Sequence, residues 1–266
     1  MSMTYDQTGR TALITGGTRG IGRAIAFALA RAGAHVVVSS RKPEAVEETV
    51  RAITAAGGRA AGVPANVGRI EEGHALIDRV MSECATLDIL VNNAAANPVF
   101  GPVEDTSPEA FTKILDVNLR APFELAKRAL PALRAAAARR PPSGSPVGGG
   151  ASIINVSSIG GLSPERGLGI YSVSKAALIS LTQVMAKEWG PMGIRANAIC
   201  PGFIRTDFSR VLWTNEPVMT EVLREQPIAR LGTPEDVAEL ALFLAADASA
   251  FCTGGVYMVD GGYRLR

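Results

Sequence analysis

The chain lacks the residues that metal, disulfide or polyanion chemistry would need. Its three cysteines, Cys84, Cys200 and Cys252, are odd in number and widely scattered. They form neither a disulfide framework nor a metal pattern, and free thiols in a reducing compartment are the plainer reading. The two histidines, His35 and His74, lie far apart, so no metal site is expected. Charge of one sign is missing too: 27 basic against 25 acidic residues leave +2, and the densest basic spot is Arg139-Arg140 beside prolines. That balance gives no footprint for nucleic acid or for a membrane surface. Met1–Arg10 is polar and no apolar run reaches the roughly 18 residues of a membrane span, so a cytoplasmic protein without a membrane partner is expected. No break in composition divides the 266 residues, of which 47% are hydrophobic, enough for one large α/β domain with a full core.

What is present is an alternation of strand and helix patterns. Thr11–Thr15 is a short apolar run ending at glycines, Gly20–Ala32 carries a helical pattern, and His35–Ser39 reads as a second strand. This is the βαβ unit of a parallel sheet. Its turn, Thr15-Gly-Gly-Thr-Arg-Gly-Ile-Gly22, has glycines where the chain must turn tightly and approach a pyrophosphate at a helix N-terminus. The end of the second strand, Ser39-Ser40-Arg41-Lys42, has no carboxylate to bond a ribose 2′-hydroxyl. With Arg19 it offers two guanidiniums to a 2′-phosphate, so NADP(H) is preferred and NAD(H) possible. Solvated surface arginines are the bland alternative.

The pattern continues with a helix over Pro43–Ala56, a strand over Arg59–Val63, a helix over Ile70–Cys84 and a strand over Ile89–Val91 that runs into Asn92-Asn-Ala-Ala95. Small residues at that strand end suit a cofactor lying close to the backbone, though a simple polar turn would look the same. A long helix begins at Ser107-Pro108 and runs toward Arg140, with a break expected near Asn118 and Pro122. Pro141–Gly150 is a low-complexity loop to which no catalytic role is assigned. The strand Ser152–Val156 follows and ends at Ser157-Ser158.

Tyr171 and Lys175 are four residues apart, on one face of a helix. An ammonium beside a phenol stabilises the phenolate and pulls its pKa toward neutral pH, so the pair is a plausible proton-transfer device. An ordinary exposed Tyr and Lys would share that spacing. A strand over Arg195–Ile199 leads to Pro201-Gly202. Thr233-Pro-Glu-Asp236 starts a last helix to Ala246, and Gly255–Val259 reads as the final strand.

In order and spacing these motifs resemble the classical short-chain dehydrogenase/reductase family over essentially the whole chain. They are Thr15–Gly22, Asn92–Ala94, Asn118, Ser158, Tyr171 with Lys175, and Pro201-Gly202. Several segments are similar to the NADP(H)-dependent dicarbonyl and retinal reductase branch: Ser39–Lys42, Asn97-Pro98 and Phe208–Trp213. The departures are Ala95 for the usual Gly and Asn66 for a common Asp, and the terminal Arg264-Leu-Arg266 is not a peroxisomal tripeptide.

The resemblance implies a single domain over residues 1–266, a Rossmann-type doubly wound parallel α/β sheet of seven strands, and a homotetramer. It implies an oxidoreductase interconverting a ketone or dicarbonyl and a secondary alcohol, with reduction the favoured direction. Tyr171 would be the acid–base residue, Lys175 would lower its pKa and hold the nicotinamide ribose, Ser158 would polarise the carbonyl, and Asn118 would hold a water. Cofactor contacts would come from Gly16, Thr18, Arg19, Gly20 and Ile21; from Ser40, Arg41, Asn66, Val67, Asn93 and Ala94; and from Tyr171, Lys175, Pro201, Gly202, Ile204 and Thr206. Substrate contacts are expected from Val99-Phe100, the loop Leu162–Leu168, and Phe203 to Met219 with Phe208, Leu212 and Trp213, whose apolar character favours a hydrophobic carbonyl compound. A 3-oxoacyl-thioester reductase would share every catalytic residue, and a non-catalytic NADPH sensor is the rival from another class.

Overall fold

A computed structural model of the chain describes residues 5–139 and 149–265. Most of the Pro141–Gly150 loop, Arg140 and the terminal Arg266 therefore lie outside the described residues. Seven strands form one parallel sheet in the order β3-β2-β1-β4-β5-β6-β7. They are β1 (Thr11–Thr15), β2 (His35–Ser39), β3 (Arg59–Gly62), β4 (Ile89–Asn92), β5 (Ala151–Val156), β6 (Ile194–Pro201) and β7 (Val256–Val259). Successive side chains on a strand point to opposite faces, and the sheet uses both. Ala12, Ile14, Val36, Val38, Ile89 and Val91 pack under α1 (Gly20–Arg31) and α9 (Pro234–Ala245). The residues between them, Leu13, Val37 and Leu90, pack under α3 (Ile70–Cys84) and α5 (Ala121–Arg139). Two apolar faces explain why these strands read as continuous Val/Ile/Leu runs.

The remaining helices are α2 (Pro43–Ala55), α4 (Pro108–Leu115), α6 (Gly169–Trp189), α7 (Arg210–Trp213) and α8 (Glu216–Glu225). The last two form a segment that periodicity did not announce. The break expected in the long helix is a π-helical turn, Asp116–Arg120, and Pro122 sits harmlessly in the first turn of α5. A third, smaller cluster gathers Ile159, Ile179, Cys200, Met219, Val222 and Tyr263 beneath the segments that follow β5 and β6. No helix among the described residues is long and apolar enough to cross a membrane.

Two buried arginines tie the sheet to the C-terminal end of α9. Arg195 donates to the Leu244 carbonyl at 2.9 Å, the Ser249 hydroxyl at 3.0 Å and the Ala246 carbonyl at 3.3 Å. Arg10 donates to the Ala245 carbonyl at 2.6 Å and pairs with Asp247. The last carbonyls of a helix have no intrahelical donor, and cations there also meet the negative end of the dipole. Burial, with Arg10 close by, holds the Arg195 guanidinium down to about 10, still charged at neutral pH. Arg195→Met keeps most of the volume and strands these acceptors. It is expected to cost about 3 kcal/mol in urea unfolding, the usual penalty for removing one partner of a buried charged network.

Candidate active site

The strand order reverses between β1 and β4, and a cleft of about 1080 Å³ opens at the carboxyl ends of the strands there. Its floor and walls carry Gly16, Thr18, Arg19, Gly20 and Ile21 after β1, Ser40 and Arg41 after β2, and Asn66 and Val67 beyond β3. Asn93 and Ala94 follow β4, Ser158 follows β5, and Pro201, Gly202, Ile204 and Thr206 follow β6. Tyr171 and Lys175 enter from α6. Of the catalytic and cofactor residues expected at the site, Asn118 alone does not line the cleft; it is fully buried behind it.

The glycine turn is held by side chains rather than by glycine flexibility alone. Asn93 Nδ2 donates to the Thr15 carbonyl at 3.0 Å and to the Gly16 carbonyl at 3.1 Å. Thr15 Oγ1 accepts the backbone N–H groups of Asn93 and Ala94 and donates to the Val91 carbonyl. Thr15 thus pins the end of β1 to the end of β4, a role the sequence did not single out. A Cβ on Gly22 would lie 2.3 Å from both Asn93 Nδ2 and the Gly16 carbonyl, and one on Gly16 2.9 Å from Asn93 Nδ2. These glycines make room for the asparagine brace. Gly22→Ala must therefore open the turn. It is expected to raise the KM for the dinucleotide about tenfold or more, since overpacking of this kind costs roughly 1–3 kcal/mol; steady-state titration of cofactor checks this.

Tyr171 and Lys175 are both buried. The Lys175 Nζ lies 5.6 Å from the centre of the Tyr171 ring and donates instead to the Val156 carbonyl at 2.7 Å. Burial dominates both groups. It pushes the Tyr171 phenol up to about 12, with the neighbouring Ser158 hydroxyl acting the other way. It brings the Lys175 ammonium down to about 8. The ammonium is spent on a carbonyl and lies off the phenol oxygen, so in this geometry burial outweighs the lowering expected from Lys175. Ser158 Oγ accepts the Gly160 N–H at 3.0 Å.

Behind this pair, Asn118 braces two walls. Its Oδ1 accepts the Ala96 N–H at 2.8 Å, and its Nδ2 donates to the Ala96 carbonyl and to Ser174 Oγ, each at 3.0 Å. Ser174 Oγ in turn donates to the Tyr171 carbonyl at 2.6 Å. Both amide hydrogens of Asn118 are spent on protein, so its side chain is a strut between these walls. π-Helical turns of the kind that carries it recur at functional sites.

The cleft fits a dinucleotide. No side chain caps the N-terminus of α1, so its first N–H groups face the glycine turn unspent. Ser39 Oγ, buried at the end of β2, has no hydrogen-bond partner. Arg19 and Arg41 are exposed at the same end, and neither forms an ion pair among the described residues. Asn66 Oδ1 accepts the Gly68 N–H at 3.2 Å, closing its own loop.

The other end is apolar. Phe208 stands half-exposed with its ring 6.1 Å from that of Tyr171, and Leu168, Val211, Leu212, Pro98 and Phe100 complete the wall. Phe203, Trp213 and Met219, expected to touch substrate, pack instead into the third cluster. Phe203 meets Tyr263 edge-on at 5.0 Å, and Trp213 Nε1 donates to the Thr206 carbonyl at 2.8 Å. Val99 and Leu162 do not line the cleft either, and Leu162 packs on that cluster. Glu109, Thr112, Lys113 and Val117 do line it and were missed, since sequence alone does not orient α4.

Residues 16–264 match a family model described as enoyl-(acyl carrier protein) reductase. Human dehydrogenase/reductase SDR family member 4 is 41% identical over 256 residues, covering 95% of this chain and 87% of the relative. Pseudomonas aeruginosa RhlG, solved as an active-site complex with NADP, superposes with a TM-score of 0.87 at 34% identity over the whole of both chains. A 7α-hydroxysteroid dehydrogenase, solved with NADH and 7-oxoglycochenodeoxycholic acid, superposes with a TM-score of 0.89 at 33% identity, covering 97% of this chain and 96% of that one. The parallel order, the cleft at its switch point and these likenesses agree: the chain belongs to the classical short-chain dehydrogenase/reductase family, oxidoreductases acting on CH–OH and C=O groups.

Proposed function

We propose that the protein is an NADP(H)-dependent reductase of a hydrophobic ketone or dicarbonyl, forming a secondary alcohol. The observation that carries this reading is the convergence of Tyr171, Lys175 and Ser158 with an apolar wall in one cleft. The dinucleotide, when bound, supplies the hydride. Ser158 and the Tyr171 hydroxyl hold the carbonyl oxygen, and Tyr171 gives it a proton as negative charge develops there. A phenol held near 12 is protonated throughout the physiological range and is ready as the acid. The positive charge of the buried Lys175, 5.6 Å from the Tyr171 ring centre, stabilises the phenolate left behind, and its ammonium would hold the ribose. Arg19 and Arg41 select a 2′-phosphate, and Ser39 and Ser40 supply hydroxyls beside it.

Phe100, Leu168, Phe208 and Leu212 favour an apolar substrate over a sugar. A thioester on an acidic carrier protein would want a basic mouth. Arg120, beside the cleft-lining Asp116, is tied to it at 2.9 Å. NADPH and NADH consumption against α-dicarbonyls, aromatic and cyclic ketones and an acetoacetyl thioester tests the reading. Turnover with NADPH on dicarbonyls and ketones supports it; thioester preference moves the protein to acyl chemistry; tight NADPH binding without turnover leaves the sensor role.

The reading includes a homotetramer in the cytoplasm. Exposed apolar side chains occur on α4, α5 and α6 (Phe111, Phe123, Val173, Val184) and near the C-terminus (Phe251, Met258), with Phe251 93% exposed. Sedimentation velocity checks the assembly.

A further inference from the structure

One side chain near the C-terminus reaches two segments that flank the substrate end of the cleft, those of Glu165 and Phe203. Tyr263 is buried in a short helical turn, Tyr263–Leu265. Its hydroxyl donates to Glu165 Oε1 at 3.4 Å, across a sequence separation of 98 residues. Its ring meets Phe203 edge-on at 5.0 Å, just beyond Pro201-Gly202. Asp260 fixes the turn from below, accepting the N–H groups of Gly262 at 3.0 Å and Arg264 at 3.1 Å. The same turn is locked to the rest of the fold: Gly202 N–H donates to Val259, Ile228 N–H to Gly261, and a Cβ on Gly202 would lie 2.8 Å from the Asp260 backbone.

Glu165 is well placed to transmit a constraint. Its carbonyl accepts the Leu168 N–H at 3.2 Å, and Leu168 lines the cleft just ahead of Tyr171. The next link is Gly167, whose carbonyl accepts the Gly101 N–H at 3.1 Å and on which a Cβ would lie 3.3 Å from the Phe100 ring. Holding the Glu165 carboxylate therefore holds the turn that carries Leu168 and, through Gly167, the neighbouring Phe100.

We infer that Tyr263 is a positioning residue for substrate: its hydroxyl clamps Glu165 and its ring clamps Phe203, setting the width of the cleft at the carbonyl end. It touches neither the reacting atoms nor the dinucleotide. This rests on the reductase reading for its kinetic consequence, while its structural part stands without it.

The variants are Tyr263→Phe, which keeps the ring contact and removes the clamp on Glu165; Glu165→Ala, which removes the acceptor; Glu165→Gln, which keeps an oxygen acceptor; and the double variant Tyr263→Phe/Glu165→Ala. Hydrogen–deuterium exchange of the intact protein is expected to accelerate at the Leu168 and Gly101 amides in Tyr263→Phe and not at the glycine turn. In ketone reduction the KM for the carbonyl substrate is expected to rise about fivefold to tenfold, the scale of one hydrogen bond to a carboxylate, with kcat and the KM for NADPH near wild type. Glu165→Gln should behave as wild type, and the double variant no worse than Tyr263→Phe. Unchanged exchange at Leu168 and Gly101, effects that add in the double variant, or a fall in kcat with an unmoved substrate KM would overturn the inference. A wild-type protein that reduces no carbonyl overturns the proposed function instead, and the exchange experiment still decides the clamp.

Discussion

Tyr171→Phe is expected to lower kcat for ketone reduction about a thousandfold, the usual worth of a positioned acid, while leaving NADPH affinity within about twofold of wild type. The substitution removes one oxygen from a side chain that is buried against Phe208 by its ring. The ring contact, the Ser174 bond to the Tyr171 carbonyl and the α6 backbone survive it. Fluorescence titration of NADPH beside single-turnover reduction separates the two effects. Loss of both together would make Tyr171 a structural residue. The same site predicts a pH profile. Lys175 is held near 8 against its ordinary 10.5, so it carries charge below about pH 8 and is neutral above. Tyr171 keeps its proton to about 12. The kcat/KM for reduction should therefore fall as pH rises through about 8, by loss of the lysine charge and not of the acid. Stability moves the opposite way. Between about 8 and 10.5 the unfolded chain holds more protons than the folded one at this position, so the Lys175 contribution rises with pH there. Activity falling while stability holds or rises separates titration from unfolding.

Much of the fold was legible because a doubly wound sheet writes itself in alternating short apolar runs and amphipathic helices. Thr11–Thr15 and His35–Ser39 are bounded in the structure as the sequence bounds them, and Ile70–Cys84 likewise. The cleft was legible because strand ends carry it, and a strand end is marked by where the apolar run stops. What was not legible are contacts between segments far apart in sequence. The Asn93 brace explains Gly22 better than a phosphate does, yet nothing at Gly22 names residue 93. Trp213 looks like a substrate contact by its aromaticity; only the hydrogen bond from its indole to Thr206 shows it turned inward. The Tyr171–Lys175 spacing was read correctly as one helix face. The direction in which Lys175 points, toward the Val156 carbonyl, depends on β5 and lies beyond any local pattern.

Arg41→Asp is expected to shift the NADPH-to-NADH preference toward NADH by roughly a hundredfold or more. Arg41 follows β2, is exposed, lines the cleft beside Arg19 and has no ion-pair partner among the described residues. A guanidinium without a carboxylate at a strand end built for a ribose is free for an anion, and a charge-assisted bond to phosphate contributes about 1.5–3 kcal/mol. Aspartate removes that bond, repels a 2′-phosphate and offers the 2′-hydroxyl of NADH an acceptor, so its two effects on the ratio point the same way. Arg19→Ala supplies the control: it removes one cation without adding an acceptor, so it should weaken NADPH and leave NADH nearly unchanged. Rising ionic strength should erode NADPH affinity in the wild type and much less in Arg41→Asp, because a surface ion pair is screened. An affinity ratio that Arg41→Asp leaves unmoved would mean that the arginines are solvated bystanders and that cofactor choice lies with Ser39 and Ser40. The 7α-hydroxysteroid dehydrogenase was solved with NADH and RhlG with NADP on the same fold. Relatives on this fold thus hold either dinucleotide, and the Arg41→Asp affinity ratio tests whether the end of β2 makes the choice here.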